Sequence, residues 1–212
     1  MPKIIICCIA NNCAQWPWRD FFGVVKAELS KNVPPSLLLF IKNTKFVPHK
    51  SAKTMKKIRN PYIGLEHDGY NCFACAPHNP YGLKMEFYED GDDVVCFWTP
   101  RAEYQGWVQT LHGGIQATLM DEVGGWVISR KLQTAAMTTS FNIKYRKPVP
   151  TGEGVQIEVR AHIVERKRSF VMIEATLSCG GEVCSSADIT YYCFSEQKAR
   201  EEFHFLPYEL EE

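Results

Sequence analysis

One stretch limits what this chain can fold into more than any other: Leu111 to Leu132, LHGGIQATLMDEVGGWVISRKL. After His112-Gly113-Gly114 it sets Ile115, Leu119, Val123, Trp126 and Val127 at helical spacing over about five turns, which predicts a long helix with a buried face. A second face carries Gly114, Thr118, Asp121 and Gly125, three or four residues apart. Asp121 therefore stands in mid-helix beside Leu119 and Met120, where other residues are better helix formers. Glycines at a helix start leave backbone N–H groups uncovered, and such groups favour a developing negative charge. A donor pair and a half-buried carboxylate on one helix point to acyl chemistry.

The segments around the helix read as strands. Leu83 to Glu89 and Asp93 to Thr99 alternate about Asp90-Gly91, a hairpin signal. After the helix come Ala136 to Lys147, Gly154 to Arg166, Ser169 to Cys179 and Glu182 to Phe194, the last two joined by Gly180-Gly181. Glu196 to Phe203 predicts a short terminal helix. Two strands, a long helix and four strands make an α+β domain, an antiparallel sheet of about six strands with one helix to wrap. Residues 1–54 show no lasting periodicity. They are expected to lie outside the folded domain, which runs over 55–212, and Met55 would be a natural start.

Four stretches carry a family resemblance. They are HGGI-x-A-T-L-M-D-E at the helix, Cys72-Phe-Ala-Cys-Ala-Pro-His-Asn-Pro-Tyr-Gly-Leu-Lys84 before it, Tyr104-Gln-Gly-Trp107 just upstream, and Phe141-Asn-Ile-Lys-Tyr-Arg-Lys-Pro148 downstream. In that order and spacing the chain resembles the hotdog-fold acyl-CoA thioesterases of the phenylacetic-acid-degradation type. The resemblance covers about residues 60 to 195. It implies a hotdog fold, hydrolysis of an acyl-CoA to free acid and coenzyme A, and no cofactor. It also implies a homodimer or dimer of dimers with its sites at the subunit interface.

Carried onto this chain, the resemblance makes Asp121 the general base on a water or the nucleophile at the thioester carbonyl. Glu122, about 100° further around the helix, is the rival carboxylate. Gly113 and Gly114 would offer N–H donors to the thioester oxygen, helped by the helix dipole. His112 would position the turn. Thr138 or Thr139 would supply a hydroxyl; adjacent strand residues face opposite ways, so only one can reach the site, and Thr138 is preferred. Related enzymes often carry a polar side chain six positions before the motif His. This chain has Gly106 there, with Gln105 or Gln109 as substitutes. Arg146, Lys147 and the hairpin Arg166-Lys167-Arg168 are the candidate cations for coenzyme A phosphates.

Charge and cysteine usage narrow the function further. The first 54 residues hold eight Lys/Arg and two Asp/Glu, leaving 16 basic against 22 acidic residues from Met55 onward. That acidic body argues against nucleic acid as a partner. Nine cysteines without a regular framework fit a reducing compartment, and the cytoplasm is expected. No apolar run reaches the roughly 18 residues of a membrane span. Cys72-x-x-Cys75 alone is weak evidence for zinc; packing under the Asn79-Pro80-x-Gly82 turn is the expected role, with no metal. A hotdog dehydratase would need a different acid/base arrangement. A non-catalytic acyl-CoA-binding hotdog, as in ligand-sensing regulators, would need a DNA-binding segment, and the basic first 54 residues lack helix-turn-helix periodicity.

Overall fold

The computed structural model describes residues 55–65 and 69–211. The segment 1–54, expected to lie outside the domain, falls outside the described residues.

Among the described residues the nine strands are β1 (Lys56–Lys57), β2 (Tyr88–Asp90), β3 (Asp93–Trp98), β4 (Gln105–Trp107), β5 (Thr110–Leu111), β6 (Ala136–Tyr145), β7 (Ile157–Lys167), β8 (Phe170–Cys179) and β9 (Glu182–Cys193). The long helix α1 is Gly113–Leu132, and α2 is Glu196–Phe203. The main sheet is antiparallel throughout, with seven strands in the order β1-β2-β3-β7-β8-β9-β6. β4 and β5 form a separate two-stranded ribbon that delivers the chain to α1.

α1 lies against β3, β6, β7, β8 and β9. Alternation on the long strands supplies the wall: Ile157, Val159 and Ala161 on β7, Val171, Ile173, Ala175 and Leu177 on β8, and Ala187, Ile189 and Tyr191 on β9 are all buried. The helix meets them with Gln116, Leu119, Met120, Val123, Gly124, Trp126, Val127 and Ile128. This face is wider than the expected stripe, because the curved sheet covers more than one side of the helix. Ile115, near the helix start, is only half-buried. An antiparallel sheet wrapped on one central helix is the hotdog architecture.

Two differences from the strand expectations have a physical cause. Of Leu83 to Glu89, only the end belongs to a sheet strand. The Leu83 and Met85 N–H groups go instead to the Phe73 and Ala74 carbonyls, at 2.9 Å each. The seventh strand is the dipeptide Lys56-Lys57, too short to alternate visibly, which pairs with Tyr88 and Glu89.

Candidate active site on the central helix

The two ends of α1 are fixed by their own side chains. His112 is the N-cap, and its Nδ1 accepts the Gly114 N–H at 2.9 Å. At the other end Gln133 adopts the left-handed conformation (φ 52°) and donates from Nε2 to the Arg130 and Tyr208 carbonyls, each at 3.0 Å. Between them Asp121 faces the sheet at the junction of β6 and β9.

Two hydroxyls meet the Asp121 carboxylate. Thr138 Oγ1 donates to Oδ1 at 2.7 Å. The Tyr191 hydroxyl lies 2.7 Å from the Asp121 carbonyl and 3.1 Å from Oδ1, so its proton is shared between them. Oδ2 accepts no hydrogen bond from the described residues, which leaves it available to a water or a substrate carbon. Burial pushes the Tyr191 hydroxyl well above the ordinary tyrosine range, and the Asp121 charge adds to the rise. Tyr191 therefore stays protonated and acts as a donor.

The β6 backbone separates the two threonines. Thr138 pairs with Tyr191 and Ser140 with Thr190, so Thr139 is the extra residue of a bulge. Its Oγ1 donates instead to the Thr190 carbonyl at 2.9 Å.

Tyr191 was not among the residues expected at the site. It reaches Asp121 because residue 124 is glycine: a Cβ there would collide with the Tyr191 hydroxyl. In the sequence Tyr191 reads only as an inward strand residue, and Gly124 as one of four glycines in the helix.

At the head of α1 the glycine pair divides. The Gly114 N–H is committed to His112, so of the two expected donors only Gly113 keeps its N–H clear of a protein acceptor. The Tyr145 hydroxyl donates to the Gly113 carbonyl at 2.8 Å, and a Cβ at 113 would stand 3.2 Å from the tyrosine ring. Gly106 has a similar steric reason: a Cβ there would lie 3.1 Å from His112 Cδ2. The polar side chain expected at that position gives way to the capping ring. The Gln105 Oε1 accepts the Gln109 N–H at 2.8 Å inside the β4–β5 turn. Gln109 holds the left-handed conformation of that turn (φ 56°).

The basic candidates are split. Arg146 and Lys147 follow the end of β6, beside Cys184 and near the Gly113 turn. Arg166, Lys167 and Arg168 sit at the β7–β8 turn, beyond the start of β6. The length of β6 keeps the groups roughly 30 Å apart within one chain, so they cannot serve one phosphate cluster of one subunit together. Lys147 pairs with Glu182 at 2.8 Å and Lys167 with Glu165 at 2.8 Å, both at the surface.

Glu122 is turned away from Asp121's partners. Its Oε1 accepts the Trp126 Nε1–H at 3.0 Å, and its carboxylate oxygens lie 3.7 and 3.9 Å from Cys72 Sγ. Burial, then the neighbouring Cys72, raises its carboxyl to about 7. The Cys75 thiol, followed by backbone N–H groups of Cys75 and Ala74, holds Cys72 down to about 6 against burial. Cys75 is pushed up by the same shared proton and by burial. The loop between β1 and β2 thus touches the same helix as Asp121, on a different side.

Comparison with known proteins agrees with this architecture. A segment of 94 residues is 30% identical to the rat acyl-coenzyme A thioesterase THEM4, covering 42% of this chain and 40% of that protein. A segment of 93 residues is 26% identical to human acyl-coenzyme A thioesterase 13, covering 42% of this chain and 65% of the relative. The chain thus spans well under half the length of the first relative and about two thirds of the second. The zebrafish thioesterase superfamily member 2 structure superposes with a TM-score of 0.51 at 21% identity, over 57% of this chain and 91% of that one. Residues 108–185, from the β4–β5 turn through α1 to the first part of β9, match the model of the thioesterase superfamily.

Proposed function

We propose that the protein hydrolyses acyl-CoA thioesters, with Asp121 acting on water or on the carbonyl carbon while the Gly113 N–H holds the thioester oxygen. The observation that carries this reading is the Asp121 carboxylate, oriented by Thr138 and Tyr191 through Oδ1 with Oδ2 left clear. Similarity to two proteins named acyl-coenzyme A thioesterases supports the substrate class.

The site is formed between two subunits. Gly113 and Asp121 are eight residues apart, roughly 12 Å of helical rise, which exceeds what one thioester group spans. Each half-site is tied to an opposite end of β6: Thr138 holds Asp121, and Tyr145 holds the Gly113 turn. β6 is also the edge of the main sheet, with β9 its only strand partner among the described residues. A long unpaired edge is a template for another strand. Pairing two β6 strands about a two-fold axis through their middle sets the Thr138 end of one beside the Tyr145 end of the other. Both half-sites then meet twice per dimer. The six described cysteines are free thiols, which supports a reducing compartment, the cytoplasm. No helix of the described residues is long and apolar enough to cross a membrane.

The test is a panel of acyl-CoAs of graded chain length and of aromatic acyl-CoAs. At least one is turned over, and Asp121→Asn lowers that turnover by about a hundredfold or more while keeping the melting temperature. Near-normal turnover in Asp121→Asn overturns the assignment.

A further inference from the structure

We propose that Cys72, Cys75 and Glu122 bind a zinc ion, at a site separate from Asp121 and its partners. The donor atoms of these three side chains lie within 4.8 Å of one another. They come from two distant parts of the sequence: a turn closed by the Ala76 N–H on the Cys72 carbonyl at 3.1 Å, and the middle of α1. Tetrahedral zinc, with bonds of about 2.3 Å to sulfur and about 2.0 Å to oxygen, sets ligand atoms roughly 3.5 to 3.8 Å apart. Cys72 Sγ stands 3.7 Å from one Glu122 oxygen and 3.9 Å from the other, already near that edge length. Two sulfurs and one oxygen select zinc over the hard cations, which prefer all-oxygen sites.

The surroundings orient each donor as outer partners of a metal site do. The Trp126 Nε1–H, one turn along the helix, fixes Glu122 Oε1 at 3.0 Å. The Tyr70 hydroxyl lies 3.1 Å from Cys75 Sγ and is itself held by Asn60 Nδ2 at 2.7 Å. His78 is not the fourth donor; its Nε2 is turned to the Tyr70 carbonyl at 2.8 Å. The fourth position falls to solvent, on the side of Cys72, the most open of the two sulfurs. Charge makes the same case. Three groups that are anionic when deprotonated converge under a loop, and no Lys or Arg of the described residues forms an ion pair with Glu122. A divalent cation neutralises such a cluster where protein cations do not. The ion would rivet the loop around residues 70–76 to α1, one residue from Asp121.

The full chain is reduced, stripped of metal and titrated with Co2+ in the absence of oxygen. The expected result is one Co2+ per chain, with the visible bands of tetrahedral cobalt and near-ultraviolet thiolate charge transfer, both lost on adding excess Zn2+. Cys72→Ser and Cys75→Ser abolish the charge-transfer band, and Glu122→Gln weakens binding at least tenfold. Because a variant can misfold, alkylation of the unaltered protein gives a second reading. Zinc slows modification of Cys72 and Cys75 at least tenfold and leaves Cys179 unchanged, as mapped by peptide mass. Absent tetrahedral bands overturn the proposal. So does binding that survives in Cys72→Ser and Cys75→Ser, which would place the metal on other cysteines such as Cys7, Cys8 and Cys13, and so does unprotected alkylation. None of these readouts uses thioester hydrolysis, so their failure leaves the proposed activity standing, and the reverse holds too.

Discussion

At the scale of single residues, the site depends on a contact between a tyrosine and a glycine that share no sequence neighbourhood. Tyr191 reaches the Asp121 carbonyl and carboxylate only over the bare Cα of Gly124. Tyr191→Phe removes that donor while keeping the ring's packing, so turnover falls by about tenfold, the scale of one hydrogen bond to a charged group, with little change in KM. Gly124→Ala gains about 1 kcal/mol of helix propensity in isolation. Yet it displaces the tyrosine, so it lowers both stability and turnover; thermal melting beside a steady-state assay reads both. A stabilised, fully active Gly124→Ala protein would show that Tyr191 does not hold Asp121. The mid-helix placement of Asp121 was legible because its position after His112-Gly-Gly is a local pattern. Tyr191 and Gly124 were not, since their meaning arises 67 residues apart across the fold. Sequence alone leaves Glu122 a competitor for the same role, because it supplies the angle on the helix and not the identity of what lies beneath it.

At the scale of elements, α1, the four strands after it and α2 follow from periodicity and turn chemistry. Their bounds lie within a few residues of expectation: Glu196–Phe203 matches, and Ala136–Tyr145 stops two residues short of Lys147. What periodicity could not show is the bulge at Thr139, since a single extra residue leaves two threonines looking interchangeable. The turn-positioning role of His112 was legible, but not which N–H its ring takes, and that is the Gly114 N–H. β6 then supports a prediction of its own. Asp121→Asn subunits mixed with Gly113→Pro subunits, each inactive alone, regain up to half the wild-type activity per heterodimer. Exchanged and folded heterodimers that stay inactive would exclude a site shared across β6.

At the scale of the whole molecule, the acidic body and the α+β order of elements were legible from composition and pattern. The separation of the two basic groups was not: Arg146-Lys147 and Arg166-Lys167-Arg168 are about 20 residues apart in sequence, yet β7 carries them to opposite ends of the sheet. The same geometry that parts the basic groups parts Gly113 from Asp121 along β6. On the proposed shared site, each subunit carries one copy of every reacting group and completes a site only with a second copy. The proposed dimer then ties activity to mass action: below its dissociation constant, rate is predicted to rise with the square of chain concentration rather than in proportion to it. Serial dilution with a fixed acyl-CoA excess should show that change of slope, at the same concentration where light scattering sees the dimer come apart.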